Sequence, residues 1–135
     1  MKALKRPAWF ITGTDTEVGK TFATCALLHR IHADRIQAVG MKPVAAGTDS
    51  EGKNDDVESL IAASGVKAPR ELINPYLFRP AIAPHIAAAI EGREIDPEHI
   101  VSSFKALQDM ANVVLIEGAG GFYVPLGEKH VTVDL

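Results

Sequence analysis

The stretch "GTDTEVGKT", residues 13–21, constrains this chain more than any other short segment of it. It lies between a compact apolar run, "AWFIT", and a segment with apolar residues at helical spacing, "KTFATCALLHRIHA". A glycine turn leading from a strand into a helix leaves backbone N–H groups unpaired and aimed at one point. The helix N-terminus adds partial positive charge there, so such a turn is an anion cradle. Lys20 is placed to reach β- and γ-phosphates, and the Thr21 hydroxyl suits a Mg²⁺ ion. A phosphate loop usually has four residues between its first glycine and Gly-Lys-Thr; here five separate Gly13 from Gly19. The alternative is a glycine turn that only begins a helix, with Lys20 solvated in the first turn. Asp15 and Glu17 would repel an anion, so their carboxylates are expected to turn outward, toward a cation or a cationic substrate.

The remaining sequence alternates strand and helix signals. "AWFIT" reads as a buried parallel strand, and the helix after the loop has an apolar stripe at Phe22, Ala26, Leu27 and Ile31. "QAVGMKPV" is a second strand, stopped by Pro43. "AAGTDSEGKND" is a polar loop expected to be mobile, and "DDVESLIAASG" a helix ending at Gly65. Four prolines interrupt "APRELINPYLFRPAIAPHIAAAIEG", which predicts short turns leading into a helix from about His85. "DPEHIVSSFKALQDMA" is an amphipathic helix with Asp96 as N-cap and Pro97 at its first position. "NVVLIEGAGG" is an apolar strand running into a second glycine loop, and "VTVDL" reads as one more strand. This order predicts an α/β fold, a doubly wound and mostly parallel sheet of the phosphate-loop kind, in one domain over residues 1–135. Such sheets bind ligands at the carboxyl ends of their strands. Residues 13–21, Lys42 and residues 117–121 all fall there.

Composition narrows the partners. The 14 Lys and Arg stand against 17 Asp and Glu, a net charge of −3 with no basic run, so nothing points to nucleic acid. An anionic ligand must be held by local geometry. Cys25 is the sole cysteine, which rules out an intramolecular disulfide, and its apolar helical neighbours make it a core residue. "AIAPHIAAAI" is too short for a membrane span and carries Pro84 and His85, and the N-terminal apolar run meets polar residues too soon for a secretory signal. A cytoplasmic protein is the expectation. His85 suits packing at a helix start, and His29, His32, His99 and His130 lack metal-ligand spacing.

The motifs taken together resemble one family. "FITGTDTEVGKTFATCALL" is similar to the N-terminus of dethiobiotin synthetase, whose phosphate loop has this five-residue spacer. The likeness continues in order through "GMKPVAAGTD", "NDDVESL", "NPYLF", "PHIAAAIEGR" and "VVLIEGAGGFYVPL". The resemblance implies ATP- and Mg²⁺-dependent closure of a ureido ring from 7,8-diaminononanoate and CO₂, through a carbamate that attacks the γ-phosphate. It implies that Glu17, Val18, Gly19, Lys20, Thr21 and Phe22 wrap the nucleotide phosphates, with Thr16 on the substrate side.

Lys42 matches the catalytic lysine of the family, and a second ammonium beside a carbamate would offset charge building up in the transition state. A lysine snorkelling at a strand end is the plain alternative. Asp56 matches an acidic Mg²⁺ and ATP contact, while Asp55 with Glu58 fits a D-x-x-E cap; the reading is that Asp55 caps and Asp56 coordinates. Glu117 ends a buried strand, where a carboxylate is costly unless paired or metal-bound, so it joins Thr21 and Asp56 as a metal candidate. Gly118, Ala119, Gly120 and Gly121 allow close backbone approach to phosphate or substrate. Ala46 stands where the family usually has a substrate-contacting serine. Family members continue past the equivalent of Leu135, so the resemblance implies an incomplete domain that lacks the adenine-selecting segments and part of a homodimer interface. Two other readings compete. A cobyrinate or cobyric acid synthetase-type ligase shares such loops, and septum-positioning ATPases carry a signature lysine early in the loop, which "GTDTEV" lacks.

Overall fold

The computed structural model describes residues 6–134. In chain order these form β1 (Ala8–Ile11), α1 (Lys20–Ala33), β2 (Ala38–Met41), β3 (Val44–Ala46), α2 (Asp55–Ala63), α3 (Arg70–Ile73), β4 (Tyr76–Phe78), α4 (Pro84–Ile90), α5 (Pro97–Met110) and β5 (Val113–Glu117). One sheet runs β1-β5-β2, all parallel, with Ala8 opposite Val114 and Ala38 opposite Val113. A second parallel pair joins β3 to β4, Val44 opposite Tyr76.

Successive strand residues point to opposite faces, so a sheet covered on both sides needs unbroken apolar runs. "AVGM" and "VVLIE" meet that need. Ala38, Val113 and Leu115 pack with Leu28 of α1 and Leu60 of α2. Val39, Met41 and Val114 pack on the other face with Ile73 of α3 and with Ile100 and Leu107 of α5. Burying each large side chain of this kind contributes roughly 1.5–3 kcal/mol. The predicted doubly wound α/β arrangement is therefore the one observed. Asp96 caps α5 as expected, accepting from Glu98 N at 2.9 Å with Pro97 in the first turn.

Several local expectations need correction. β1 is parallel but lies at the sheet edge, and Trp9 is 54% exposed instead of buried. α1 buries Thr24 and Leu28, with Ile31 and Cys25 half-buried, while Phe22 and Leu27 face solvent. That helix is apolar on more than one side, so periodicity alone chose the wrong face. Asn54, not Asp55, caps α2, its Oδ1 accepting from Val57 N at 3.2 Å. The helix ends at Ser64 in extended backbone, without a left-handed Gly65. The loop before α2 is knit together: Asp49 Oδ1 accepts from Glu51 N and Lys53 N, and Asn54 Nδ2 donates to Gly47 O at 2.7 Å. In place of a strand, the final described residues form a 3-10 turn, Thr132–Asp134, with Val131 bridged to Pro125; Leu135 lies outside the described residues. A short loop returns the chain on itself there, and its backbone groups bond locally instead of extending a ladder.

Candidate active site

The phosphate loop is shaped by two residues in left-handed backbone. Gly19, φ 101°, is the N-cap of α1 and makes the turn that only glycine adopts without strain. Glu17, φ 59°, takes the same region with a side chain, so some strain is stored inside the loop. Asp15 Oδ1 accepts from Thr16 N at 2.7 Å, and Lys20 Nζ folds back to donate to Asp15 O at 2.5 Å. Asp15 and Glu17 are exposed, as their charge requires. The second glycine loop leans on the first. A Cβ on Gly121 would meet Thr14 O at 3.1 Å, and Thr132 ties the loop's far side by donating to Phe122 O and accepting from Val124 N.

Between these loops opens a cavity of about 1020 Å³ at the carboxyl ends of the strands. Of the residues singled out in the sequence, Thr16, Glu17, Gly19, Lys20, Thr21, Phe22, Lys42, Ala46, Asp56, Glu117, Ala119, Gly120 and Gly121 all line it. Val18 and Gly118 do not. Val18 turns its side chain against Gly13, and Gly118 sits against the Phe10 ring with its N–H donating to Ile11 O at 2.9 Å.

The polar centre of the cavity is Lys42. Its ammonium donates to Glu117 Oε1 at 2.7 Å and pairs with Asp56 Oδ2 at 3.0 Å. The Thr21 hydroxyl donates to the same Glu117 Oε1 at 2.7 Å. Glu117 is 1% exposed and Lys42 5%, whereas the Asp56 side chain is 47% exposed. Lys42 is thus an ion-paired residue inside the crevice, not a snorkelling lysine. Burial pushes the Asp56 carboxyl up, but the Lys42 charge and hydrogen bond, with smaller help from Thr21 and Lys20, hold it below the usual carboxylate range. Cys25 is affected the other way: burial first, then the charges of Glu117 and Asp56, raise its thiol, which leaves it a poor nucleophile.

Glu117 Oε2 is buried with no hydrogen-bond partner among the described residues. A buried carboxylate oxygen left unpaired costs about 1–3 kcal/mol or more, so it suits a ligand that supplies a cation. Among the described residues no group of three or more His, Cys, Asp or Glu could hold a metal unaided. Mg²⁺ does not require one, since it takes one or two carboxylates and completes its shell with water and substrate phosphates. Glu117, Asp56 and the Thr21 hydroxyl offer hard oxygens in one place, and the fit is good.

Sequence reasoning missed the second wall, where Ala81, Ile82, Ala83 and Pro84 face the loop at Gly47–Asp49. It also missed two asparagines. Asn54 has a legible signal, a capping residue type directly before "DD". Asn74 has none, because its role depends on a strand pairing, β3 with β4, that the proline-broken stretch concealed.

Comparisons with known proteins place the chain in a family. The family described as AAA domain matches residues 8–135. The chain is 52% identical over 131 residues to the ATP-dependent dethiobiotin synthetase BioD of Aromatoleum aromaticum, covering 95% of this chain and 58% of that protein. It is 54% identical over 127 residues to the enzyme of the same name from Nitrosospira multiformis, covering 94% and 56%. A third, from a Janthinobacterium species, is 44% identical over 133 residues, covering 93% and 56%. The chain thus spans a little over half the length of the curated relatives it matches. No helix among the described residues is long and apolar enough to cross a membrane. With a strand–glycine loop–helix unit, a buried strand-end acid and a family match over nearly its whole length, the chain belongs to the AAA domain family and is similar to the N-terminal portion of the dethiobiotin synthetases.

Proposed function

We propose that this chain carries the phosphate-binding and carbamate-facing half of a dethiobiotin synthase. The enzyme would close the ureido ring of dethiobiotin from 7,8-diaminononanoate, CO₂ and ATP, releasing ADP and phosphate. The observation that carries the reading is the placement of Lys42 between Glu117 and Asp56, beside Lys20 and Thr21, at the floor of one cavity. The similarity to proteins named ATP-dependent dethiobiotin synthetase supports the choice of reaction.

In this reading the N–H groups of Glu17 and of residues 19–22 and the Lys20 ammonium bind the β- and γ-phosphates, with Val18 packed against Gly13 behind them. Bound Mg²⁺, held by Thr21, Asp56 and Glu117, would neutralise phosphate charge. Lys42 holds its ammonium where a carbamate oxygen and the transferring phosphoryl group would meet, and stabilises the negative charge there. The backbone at Ala119 and Gly120 contacts the nucleotide, while Gly118, packed on Phe10 with its N–H on Ile11 O, supports that loop from behind. Thr16, Ala46 and Gly121 border the substrate, and the exposed carboxylates of Asp15 and Glu17 favour its cationic amines. Positioning two reactants in this way supplies much of such a rate enhancement. We also propose a homodimer and a cytoplasmic location for the whole protein.

Phosphate release from Mg-ATP with bicarbonate tests the reading. Release that depends on 7,8-diaminononanoate and vanishes in Lys42→Ala is the expected result. Release that ignores the diamine, or instead follows added ammonia or glutamine, would overturn it in favour of an amide-forming ligase.

A further inference from the structure

Lys42 occupies an unusual point in the backbone. The extended segment from Ala38 to Ala46 changes partners at Lys42 and Pro43: its first half pairs with β5, its second half with β4. Proline has no N–H to donate, so the ladder is broken next to the residue that has to be held still. Other groups close the gap. Lys42 N donates to Ile73 O at 2.8 Å, and Tyr76 N donates to Pro43 O at 3.0 Å. Between them the carboxamide of Asn74, 7% exposed, donates from Nδ2 to Lys42 O at 2.7 Å and to Tyr76 O at 3.0 Å.

We propose that Asn74 is a positioning residue for Lys42, clamping its carbonyl across the change of strand partners so that its ammonium stays between Glu117 and Asp56. This rests on the reading of Lys42 given above. A carboxamide suits the task because one NH₂ group carries two donors: one reaches Lys42 O, which lies outside both strand ladders, and the other reaches Tyr76 O in β4 and so ties Lys42 to that strand. Asn74 is some distance along the chain from every residue of the phosphate loop, and it does not line the cavity. Its effect on the site passes through the Lys42 peptide. Loss of the clamp leaves the Lys42 carbonyl without its side-chain donor and frees the Lys42 backbone to shift, and a shift of about 1 Å in a catalytic group can cost about 100-fold in rate.

The test reads Lys42 itself, without using the reaction. The folded chain is labelled with limiting acetic anhydride, and modification of each lysine is measured by peptide mass spectrometry. In the wild type Lys42 and Lys20 are both buried, 5% and 8% exposed, so slow labelling of both is the expected baseline. Asn74→Ala is expected to raise Lys42 labelling by about tenfold, the equivalent of one lost hydrogen bond, while Lys20 is unchanged. Asn74→Ser, whose hydroxyl still donates to one carbonyl, is expected to lie between the two. Should Asn74→Ala not fold, Asn74→Ser alone decides, with raised Lys42 labelling expected. Unchanged Lys42 labelling in a folded variant, or Lys20 and Lys42 rising together, would overturn the proposal. Absence of diamine-dependent phosphate release from the chain extended to the length of its relatives would refute the functional reading and leave the labelling result standing.

Discussion

Replacing Lys42 by methionine is the most informative single perturbation of this molecule's stability. Methionine keeps most of the apolar stem volume, so little cavity cost accompanies the change. What it removes is the ammonium that pairs at 2.7 Å with Glu117, a carboxylate only 1% exposed. Breaking a buried pair from one side costs about 3–5 kcal/mol, because the other charge stays buried and uncompensated. The second contact, to the half-exposed Asp56 at 3.0 Å, adds no more than about 1 kcal/mol. After the change Glu117 keeps only the Thr21 hydroxyl. We therefore expect Lys42→Met to cost about 3 kcal/mol or more.

The reverse substitution is asymmetric. Glu117→Gln leaves Lys42 with Asp56, which reaches water, so it is expected to cost clearly less. Adding Glu117→Gln to Lys42→Met removes the orphaned charge and should recover about 2 kcal/mol, a coupling that distant residues do not show. Urea unfolding at neutral pH measures all four proteins. With a slope of about 1.5 kcal/mol per molar, Lys42→Met lowers the midpoint by about 2 M. Purely additive effects, or a loss below about 1 kcal/mol for Lys42→Met, would refute the claim that the pair is buried and coupled.

Two further outcomes follow from the same geometry. The Asp56 carboxyl is held below its ordinary value of 3.8, so its contribution to stability is full above that value and is lost as pH falls through the folded one. The stability gap between wild type and Asp56→Asn, measured by urea unfolding, should therefore narrow from roughly pH 5 to pH 3; a gap that widens would show the sign to be wrong. Gly19→Ala forces a side chain into φ 101°, at a cost of about 1–2 kcal/mol. It should lower the thermal midpoint and weaken Mg-ATP binding by calorimetry, and an unchanged midpoint would show that the loop relaxes at no cost.

How much of this was legible in the sequence depends on how local the cause was. The phosphate loop, the buried strands and the Asp96 cap were readable because each is fixed by neighbours within one turn or one strand. The convergence of Lys42 and Glu117 was readable for a different reason: parallel sheets bring strand ends together, whereas Asp56, on α2, was placed by the family resemblance. Tertiary context decided the rest. The edge position of β1 and the outward face of Phe22 depend on what packs beside them, which apolar content does not reveal. β4 was hidden because three residues between prolines have no period to read. Asn54 displaced Asp55 as the cap because its amide can also donate to Gly47 O, a bond no carboxylate makes.

Charge placement shows how such a site can bind a polyphosphate in a chain of net charge −3. In the crevice Lys42 is consumed by Glu117 and Asp56, so it offers little free positive field to an approaching nucleotide. Lys20 is turned onto its own loop, donating to Asp15 O, and Asp15 and Glu17 stand exposed at the rim. Long-range attraction of an anion is therefore weak or absent. Capture has to come from the unpaired N–H groups at the start of α1, which act only at contact distance and are set in place by the backbone of Gly19. The same arrangement serves discrimination. A bare anion meets a rim of carboxylates, whereas a phosphate arriving with its own divalent cation satisfies both the N–H groups and the unpaired Glu117 oxygen. Under the proposed function, the acidic residues that looked out of place in a phosphate loop would favour a metal-bound phosphate over a free one.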